Sequence, residues 1–324
     1  MEHSKTLLEV NDLSLVYKTD YETVYAVNNV SFSLKEGEAI GIVGETGAGK
    51  TTTALAIMGL LPERVGKVTS GSIIFNGKNI ITMSEPELQT VRGGMISMIF
   101  QDPMTSLNPV LRVGDQVAEA IKLHSPELSK KDIDSRVDDL FKLVGILPER
   151  KNEYPHQFSG GMKQRVVIAI ALSCNPMLLI ADEPTTALDV TIQAQVLAMI
   201  EELQQKQHAS MIMISHDLGV IAKTCDKVCV MYAGEFVECG TIFDIFDGEK
   251  HHPYTEGLFG AIPDLEIDTP RLKAIEGLMP DPSIKAQGCP FAPRCSKCMD
   301  VCNKEKPVYF CEDGHLIKCH LFRR

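Results

Sequence analysis

Eight consecutive residues, Gly44-Glu45-Thr46-Gly47-Ala48-Gly49-Lys50-Thr51, combine three glycines with a lysine and a terminal hydroxyl. Glycines let a backbone turn its N–H groups inward around a phosphate, and a helix starting there adds the positive end of its dipole. In such a loop Lys50 neutralises the outer phosphates of a nucleotide and the Thr51 hydroxyl ligates Mg2+, so Gly44 through Thr52 are candidate nucleotide-binding residues. The flanks agree. Ala39-Ile40-Gly41-Ile42-Val43 is an apolar run of strand character, and Thr52 to Leu60 reads as a helix. Strand, glycine loop, helix is the order a phosphate-binding loop requires. The plain alternative is a glycine-rich turn ahead of an ordinary helix.

Further along, Leu178-Leu179-Ile180-Ala181-Asp182-Glu183 is an apolar strand that ends in two carboxylates. At the carboxyl edge of a sheet, Asp182 would hold magnesium, directly or through water, while Glu183 polarises an attacking water. An acidic pair alone reads as a solvated strand end, and the upstream glycine loop shifts that reading. Two more polar residues close strands at the same expected edge: Gln101 ends the run from Met95, and His216 follows the run from Ser210. Both carry donors that reach a terminal phosphate or its water, which makes Gln101, His216 and Glu183 the candidate catalytic residues, with Gln101 also a candidate Mg2+ ligand beside Thr51 and Asp182. The plain reading of His216 is structural, with Asp217 capping the next helix. Finally, Phe158-Ser159-Gly160-Gly161-Met162 opens a helix with a serine and two glycines but no lysine, a second anion cradle. Two cradles for one kind of nucleotide point to a shared site.

The elements that must hold these residues are legible from periodicity. Leu8, Val10, Leu13 and Leu15, then Val30, Phe32 and Leu34, predict strands in the first forty residues, and Ser72 to Phe75 before Asn76-Gly77 predicts another strand with a tight turn. From about Thr105 the spacing becomes helical, through Val113, Val117, Ala120 and Ile121, and then, after Ser129 as N-cap, Ile133, Val137, Leu140, Phe141 and Val144. A third helix covers Met162 to Leu172, a strand Met177 to Ala181, a helix Val190 to Gln205 and a strand Ser210 to Ile214. Val228 to Tyr232 and Glu235 to Val237 close the series as short strands. Such alternation favours a largely parallel α/β sheet.

Composition limits what surrounds this site. A chain of 324 residues has room for about two domains, and its 44% hydrophobic and 23% charged residues are ordinary for a soluble globular protein. The net charge of −11 argues against a broad nucleic-acid surface. Residues Met1 to Val10 contain no apolar core of signal-peptide length, and the longest apolar stretch, Val166 to Ala181, is broken by Ser173, Cys174, Asn175 and Pro176, so a cytoplasmic protein without a membrane span is expected. Ten cysteines in that setting suggest reduced thiols or a metal site, and six of them fall between Cys289 and Cys319.

The order glycine loop, Gln101, Ser159-Gly160-Gly161, Asp182-Glu183, Ala187-Leu188-Asp189, His216 resembles an ABC-transporter ATPase subunit over roughly residues 7 to 245. The resemblance implies an α/β fold: a P-loop NTPase of ABC type with a RecA-like core, an antiparallel β subdomain and an α-helical subdomain at about residues 105–175, plus a cysteine-rich C-terminal extension. The ATPase domain would cover residues 1–250 and the extension 251–324. It further implies MgATP as ligand, Tyr17 stacked on adenine, Asp189 communicating across a dimer, and two subunits docked head to tail. Each nucleotide then lies between one subunit's glycine loop and the other's Ser159-Gly160-Gly161. Phe158 and Met162 depart from the family-wide Leu-Ser-Gly-Gly-Gln.

Within that family, His252-Pro253-Tyr254-Thr255 and Gln101-Asp102-Pro103 resemble segments of oligopeptide and dipeptide importer ATPases. This narrower resemblance implies a subunit that powers peptide import from the cytoplasmic face of the cell inner membrane, peripherally bound. Its partners would be two membrane permease subunits, a second ABC ATPase, in resembling systems usually a different chain but otherwise a second copy, and an extracytoplasmic peptide-binding protein, with no nucleic acid. Nickel, glutathione and antimicrobial-peptide importers share this ATPase style, and permease-free ABC ATPases acting on DNA or ribosomes form the alternative class. The tail cysteines match the same group, which implies a [4Fe–4S] cluster on Cys289, Cys295, Cys302 and Cys319. Cys298 and Cys311 are surplus to four ligands, and the Cys295–Cys298 spacing also suits zinc, so cluster, zinc and free thiols all stay open here.

Overall fold

The structure, a computed structural model, describes residues 5–185, 190–261 and 275–322. Strands run in the order β1 (Thr6–Lys18), β2 (Thr23–Lys35), β3 (Ala39–Val43), β4 (Gly66–Phe75), β5 (Lys78–Asn79) and β6 (Ile96–Ile99). They continue as β7 (Leu178–Asp182), β8 (Ser210–Ile214), β9 (Lys227–Tyr232), β10 (Glu235–Thr241), β11 (Tyr309–Glu312) and β12 (His315–Lys318). Contacts divide the chain into two units, one of Met1–Leu7, Leu34–Ala39 and Thr82–Ser215, the other of Leu8–Ser33, Ile40–Ile81 and His216–Arg324.

In the first unit β6, β7 and β8 pair in parallel, with Ile96 opposite Leu178 and Leu178 opposite Ser210. Every residue of the three strands is buried, which is why they read as unbroken apolar runs rather than alternating ones. β7 extends one residue past the expected strand and so takes Asp182 as its last member. The helices Val113–His124, Lys130–Leu143 and Gly160–Leu172 pack on one another. Their stripes follow the predicted spacing, with Val113, Val117, Ile121, Ile133, Val137, Leu140 and Phe141 buried and Ala120 half-buried. Ser129 does cap its helix, its hydroxyl accepting from the Asp132 N–H at 3.3 Å. Lys151 then fastens the same helix through Asp134 at 2.7 Å and Asp138 at 2.6 Å.

The second unit contains the antiparallel sheet, in the order β2-β1-β4-β5. β3 pairs with β9 in parallel, and β9 with β10 antiparallel. The tail departs from expectation. Its last residues supply the hairpin β11–β12, which adds to β10 through Glu238 opposite Ile317 and Cys239 opposite Leu316, where no strand was expected after Glu235 to Val237. Asp313 and Gly314 turn that hairpin with φ of 50° and 93°.

A buried carboxylate fastens this region. Glu238 of β10 accepts from His251 Nδ1 and His315 Nε2, each at 2.9 Å, and from the His252 N–H at 2.8 Å. Burial pushes its carboxyl up, but these donors outweigh it and hold the group at about 2. The bond to Glu238 raises His251 above 6.5 against its own burial. Glu238 therefore contributes stability that is present above the ordinary carboxylate range and lost as pH falls through about 2. His251 contributes stability that is complete below 6.5 and lost as pH rises through its higher folded value. The melting temperature should accordingly fall as pH is raised from 6 towards 9, and His251→Gln should flatten that decline. Parallel curves for the two proteins would remove His251 as its source.

Candidate active site

The glycine loop lies between β3 and the helix Lys50–Ile57. This helix starts two residues before the expected Thr52 and stops short of Leu60, because Gly49 takes a left-handed φ of 107° at its N-cap and Gly59 a φ of 63° beyond its end. Gly44 has φ 151°, and a Cβ there would stand 2.1 Å from the Met231 carbonyl oxygen. The loop thus passes a neighbouring backbone at a distance only glycine allows. No side chain caps the helix, which leaves its first-turn N–H groups for a ligand. Lys50 is buried, and its Nζ donates to the carbonyls of Gly44 at 2.7 Å and Glu45 at 3.1 Å, curled across the loop. Thr46 and Gly47 are exposed, as is Thr51 in the first turn, and the Tyr17 hydroxyl donates to Thr52 Oγ1 at 3.4 Å.

Glu45 is held from far along the chain. Its N–H donates to the Tyr254 hydroxyl at 2.9 Å, and its carboxylate accepts a two-pronged bond from Arg294 at 2.6 and 3.0 Å. Both contacts lie within the second unit, as do Tyr17 and His216. His216 is exposed, two residues beyond the end of β8, and Asp217 caps the helix Leu218–Thr224 by accepting from the Gly219 N–H at 2.9 Å.

The first unit holds the carboxylates. Asp182 is buried at the last position of β7. Glu183 follows in a left-handed backbone conformation, φ 47°, pinned by its N–H to the Ile214 carbonyl at 2.9 Å. For a residue with a Cβ this costs on the order of 1 kcal/mol, and such strain gathers at functional sites. Here it turns the chain sharply at the sheet edge, and Gln101 Nε2 donates to Glu183 Oε2 at 2.8 Å. The structure therefore joins two of the three candidate catalytic side chains. Pro184 comes next, and its carbonyl accepts from Gln164 Nε2 at 2.6 Å. Gln164 belongs to the helix Gly160–Leu172, so the serine-glycine cradle is tied to the turn that carries Glu183.

That helix begins at Gly160, earlier than the expected Met162, with Ser159 as N-cap accepting from the Met162 N–H at 3.4 Å. Ser159 is exposed, and nothing stands within 4 Å of where a Cβ on Gly160 would be, so the cradle is open. The two departures from the family pattern belong to one contact set. Arg150 lies 4.6 Å over the buried Phe158 ring and donates to the Met162 sulfur at 3.2 Å, while its other prongs hold Glu153. Ala187-Leu188-Asp189 lies outside the described residues.

None of the ten cysteines is in a disulfide. Burial pushes the Cys289 thiol up to about 11, with Cys319, Cys302 and Cys295 adding to the rise. Cys319 rises in the same way, through burial and then Cys295 and Cys302. The four sulfurs therefore share one neighbourhood, although among the described residues no group of three or more His, Cys, Asp or Glu is arranged to hold a metal ion. Cys298 and Cys311 are exposed, whereas Cys225 and Cys229 are buried in the second unit as small core residues. Among the described residues no helix is long and apolar enough to cross a membrane.

Residues 27–186 match the ABC transporter family, and residues 237–302 match the C-terminal region of oligopeptide/dipeptide transporters. The dipeptide transport ATP-binding protein DppD of Bacillus subtilis strain 168 is 50% identical over 318 residues, 97% of this chain and 94% of that protein. This chain belongs to the ABC-transporter ATPase family. The oligopeptide transport ATP-binding protein OppD of Salmonella typhimurium is 48% identical over 98% of this chain and 94% of its own length. A solved dimer of the ATP-binding cassette MJ0796, in a post-hydrolysis state bound to ADP and Pi, superposes with a TM-score of 0.66 at 26% identity, covering 73% of this chain and 99% of that one. As an ABC ATPase of the oligopeptide/dipeptide group, the chain binds ATP and hydrolyses it.

Sequence reasoning missed one feature of this ABC ATPase, the grip of Tyr254 and Arg294 on its glycine loop. Both residues stand inside recognisable segments, His252-Pro253-Tyr254 and Arg294-Cys295, but partners 209 and 249 residues away leave no local signal.

Proposed function

We propose that this ATPase powers the import of di- or oligopeptides through a membrane ABC transporter. What carries the reading is the match to dipeptide and oligopeptide transport ATP-binding proteins across nearly the whole chain, the C-terminal region included. The subunit sits peripherally on the cytoplasmic face of the inner membrane, with two permease subunits, an extracytoplasmic peptide-binding protein and a second, different ATPase chain as partners.

Hydrolysis is phosphoryl transfer to water, which needs positioning and neutralised charge more than covalent chemistry. Lys50 and the loop N–H groups from Gly44 to Thr52 hold the phosphates, and Tyr17 stacks on the base. Glu183, steadied by Gln101, orients the water and takes up its proton, and His216 donates to the terminal phosphate. Ser159, Gly160 and Gly161 complete the site of the facing ATPase, and Asp189 signals across that dimer. Mg2+ when bound neutralises the phosphates. The buried carboxylate of Asp182 and the exposed hydroxyl of Thr51 suit it in donor chemistry, with Gln101 as third ligand.

Copurification of the chain with permeases, followed by ATP-dependent uptake of labelled dipeptides in reconstituted vesicles, is the expected result. Uptake of nickel, glutathione or an antimicrobial peptide in place of dipeptides would move the cargo. Recovery with ribosomes or DNA and no permease would overturn the transport reading.

The tail is proposed to hold a [4Fe–4S] cluster on Cys289, Cys295, Cys302 and Cys319, supported by their closeness in the fold, where the Cys289 N–H donates to the Cys302 carbonyl at 2.8 Å. These residues supply four soft donors, and a bound cation would favour their thiolate forms. Anaerobically purified protein should contain iron and acid-labile sulfide in equal amounts, both lost in the Cys289→Ser/Cys302→Ser variant. Zinc alone, or neither metal, would end the cluster assignment.

A further inference from the structure

An acidic residue in a phosphate-binding loop is a liability. Glu45 sets a negative charge beside the place where a triphosphate must lie, and its peptide group is one of those whose orientation shapes the cradle. Two residues of the C-terminal extension deal with both problems. Arg294 meets the Glu45 carboxylate with both terminal nitrogens and cancels its charge, and the Arg294 side chain is only 5% exposed, so the pairing is screened little by solvent. The Tyr254 hydroxyl accepts from the Glu45 N–H and so fixes the turn of that peptide.

Neither partner is free to drift. Arg294 Nε donates to the Glu276 carbonyl at 3.0 Å and Nη2 to the Ile275 carbonyl at 3.2 Å. The buried Tyr254 ring packs against Tyr232 and Phe291, with centroids 4.6 and 5.4 Å away. Tyr232 closes the cluster on Phe291 at 5.2 Å and receives the Arg294 Nη1 donor at 3.4 Å. Phe291 and Arg294 lie on the segment between Cys289 and Cys295, so this segment together with Tyr232 of β9 positions both contacts.

We propose that Arg294 and Tyr254 are positioning residues of the nucleotide site, through which the C-terminal extension braces Glu45 and sets the affinity of the loop for Mg-nucleotide. The proposal rests on the glycine-loop reading of the ATP site. Arg294 acts by neutralising and tethering Glu45, and Tyr254 by orienting its peptide, with no contact of their own to the reacting atoms.

The test uses the purified full-length chain with MgCl2 and a fluorescent N-methylanthraniloyl ADP. Arg294→Met should weaken binding about tenfold, since a charge-assisted pair is lost and an uncompensated carboxylate is left beside the phosphates. Tyr254→Phe removes only the accepting hydroxyl and keeps the ring in its aromatic cluster, so it should weaken binding about threefold at an unchanged melting temperature. In a Glu45→Gln background Arg294→Met should add less than twofold, because the charge it neutralises is already gone, a coupling that mere loss of stability would not produce. Lys297→Ala, which breaks the exposed pair with Glu256, should bind as wild type. Wild-type affinity in both Arg294→Met and Tyr254→Phe, with Lys50→Ala defective, would reduce the brace to a structural clasp and overturn the proposal. Wild-type affinity in Lys50→Ala as well would overturn the glycine-loop reading, and the brace with it. Should Arg294→Met fail to fold, Tyr254→Phe decides alone.

Discussion

Glu183→Gln is expected to keep nucleotide binding and lose ATP turnover by about a hundredfold or more, the range that removal of a positioned general base produces. The substitution preserves shape. The left-handed turn at φ 47° and the N–H bond to the Ile214 carbonyl are backbone features, so the side chain should stay at the sheet edge. The amide oxygen can still accept from Gln101 Nε2. What disappears is the anionic oxygen that in the proposed mechanism takes up the proton of the attacking water, while Lys50 and the loop amides proposed to hold the phosphates are untouched. Phosphate release from the assembled transporter, with binding of the fluorescent ADP measured in parallel, reads the two effects separately. Undiminished turnover at the site containing the variant would remove Glu183 from the chemistry, and lost binding would place it among the nucleotide ligands instead.

Gly44→Ala should act on the opposite half of the mechanism. The new Cβ would stand 2.1 Å from the Met231 carbonyl oxygen, a backbone atom that cannot swing aside, at a φ of 151° that side chains rarely adopt. The strand β9 that carries Met231 lies against β3 in parallel register, Val43 opposite Val230, so relief must come from the loop. Pushing it out displaces the two carbonyls that Lys50 holds, those of Gly44 and Glu45. A destabilisation of about 3 kcal/mol is expected, together with nucleotide affinity too weak to measure at micromolar protein. Thermal melts and the same binding assay check it. Gly47→Ala makes a useful contrast, because a Cβ there meets nothing within 4 Å and only its φ of 84° opposes the change. If the two alanines cost the same, crowding against Met231 is not what keeps residue 44 a glycine.

Much of this molecule is legible in its sequence, and the reasons are local. Glycines, a lysine and a helix start within a few residues form a local pattern, so the strand–loop–helix context of Gly44 to Thr51 could be read directly. Buried parallel strands must be apolar throughout, and β7 and β8 read that way, with Asp182 and Glu183 marking where one of them ends. Caps are local too, and Ser129, Ser159 and Asp217 all cap as their positions require. Element ends shifted by one to three residues where a cap or a left-handed glycine decided the matter, as at Lys50, Ile57 and Gly160.

The tail was harder to read. Tyr309–Glu312 and His315–Lys318 are four residues each, too short for a periodicity to register, and they become strands because β10 offers them an edge. Glu238 looks like any strand carboxylate until His251, His252 and His315 close around it.

By itself, then, the order of residues determined the family, the nucleotide chemistry and most of the elements, since each depends on side chains a few positions apart. Only the tertiary structure decided that Gln101 meets Glu183 across 82 residues, and that Arg294 reaches back 249 residues to Glu45. Contacts over such distances exist only once the sheets have formed, because residue types carry no record of which distant partner the folded backbone will bring within 3 Å.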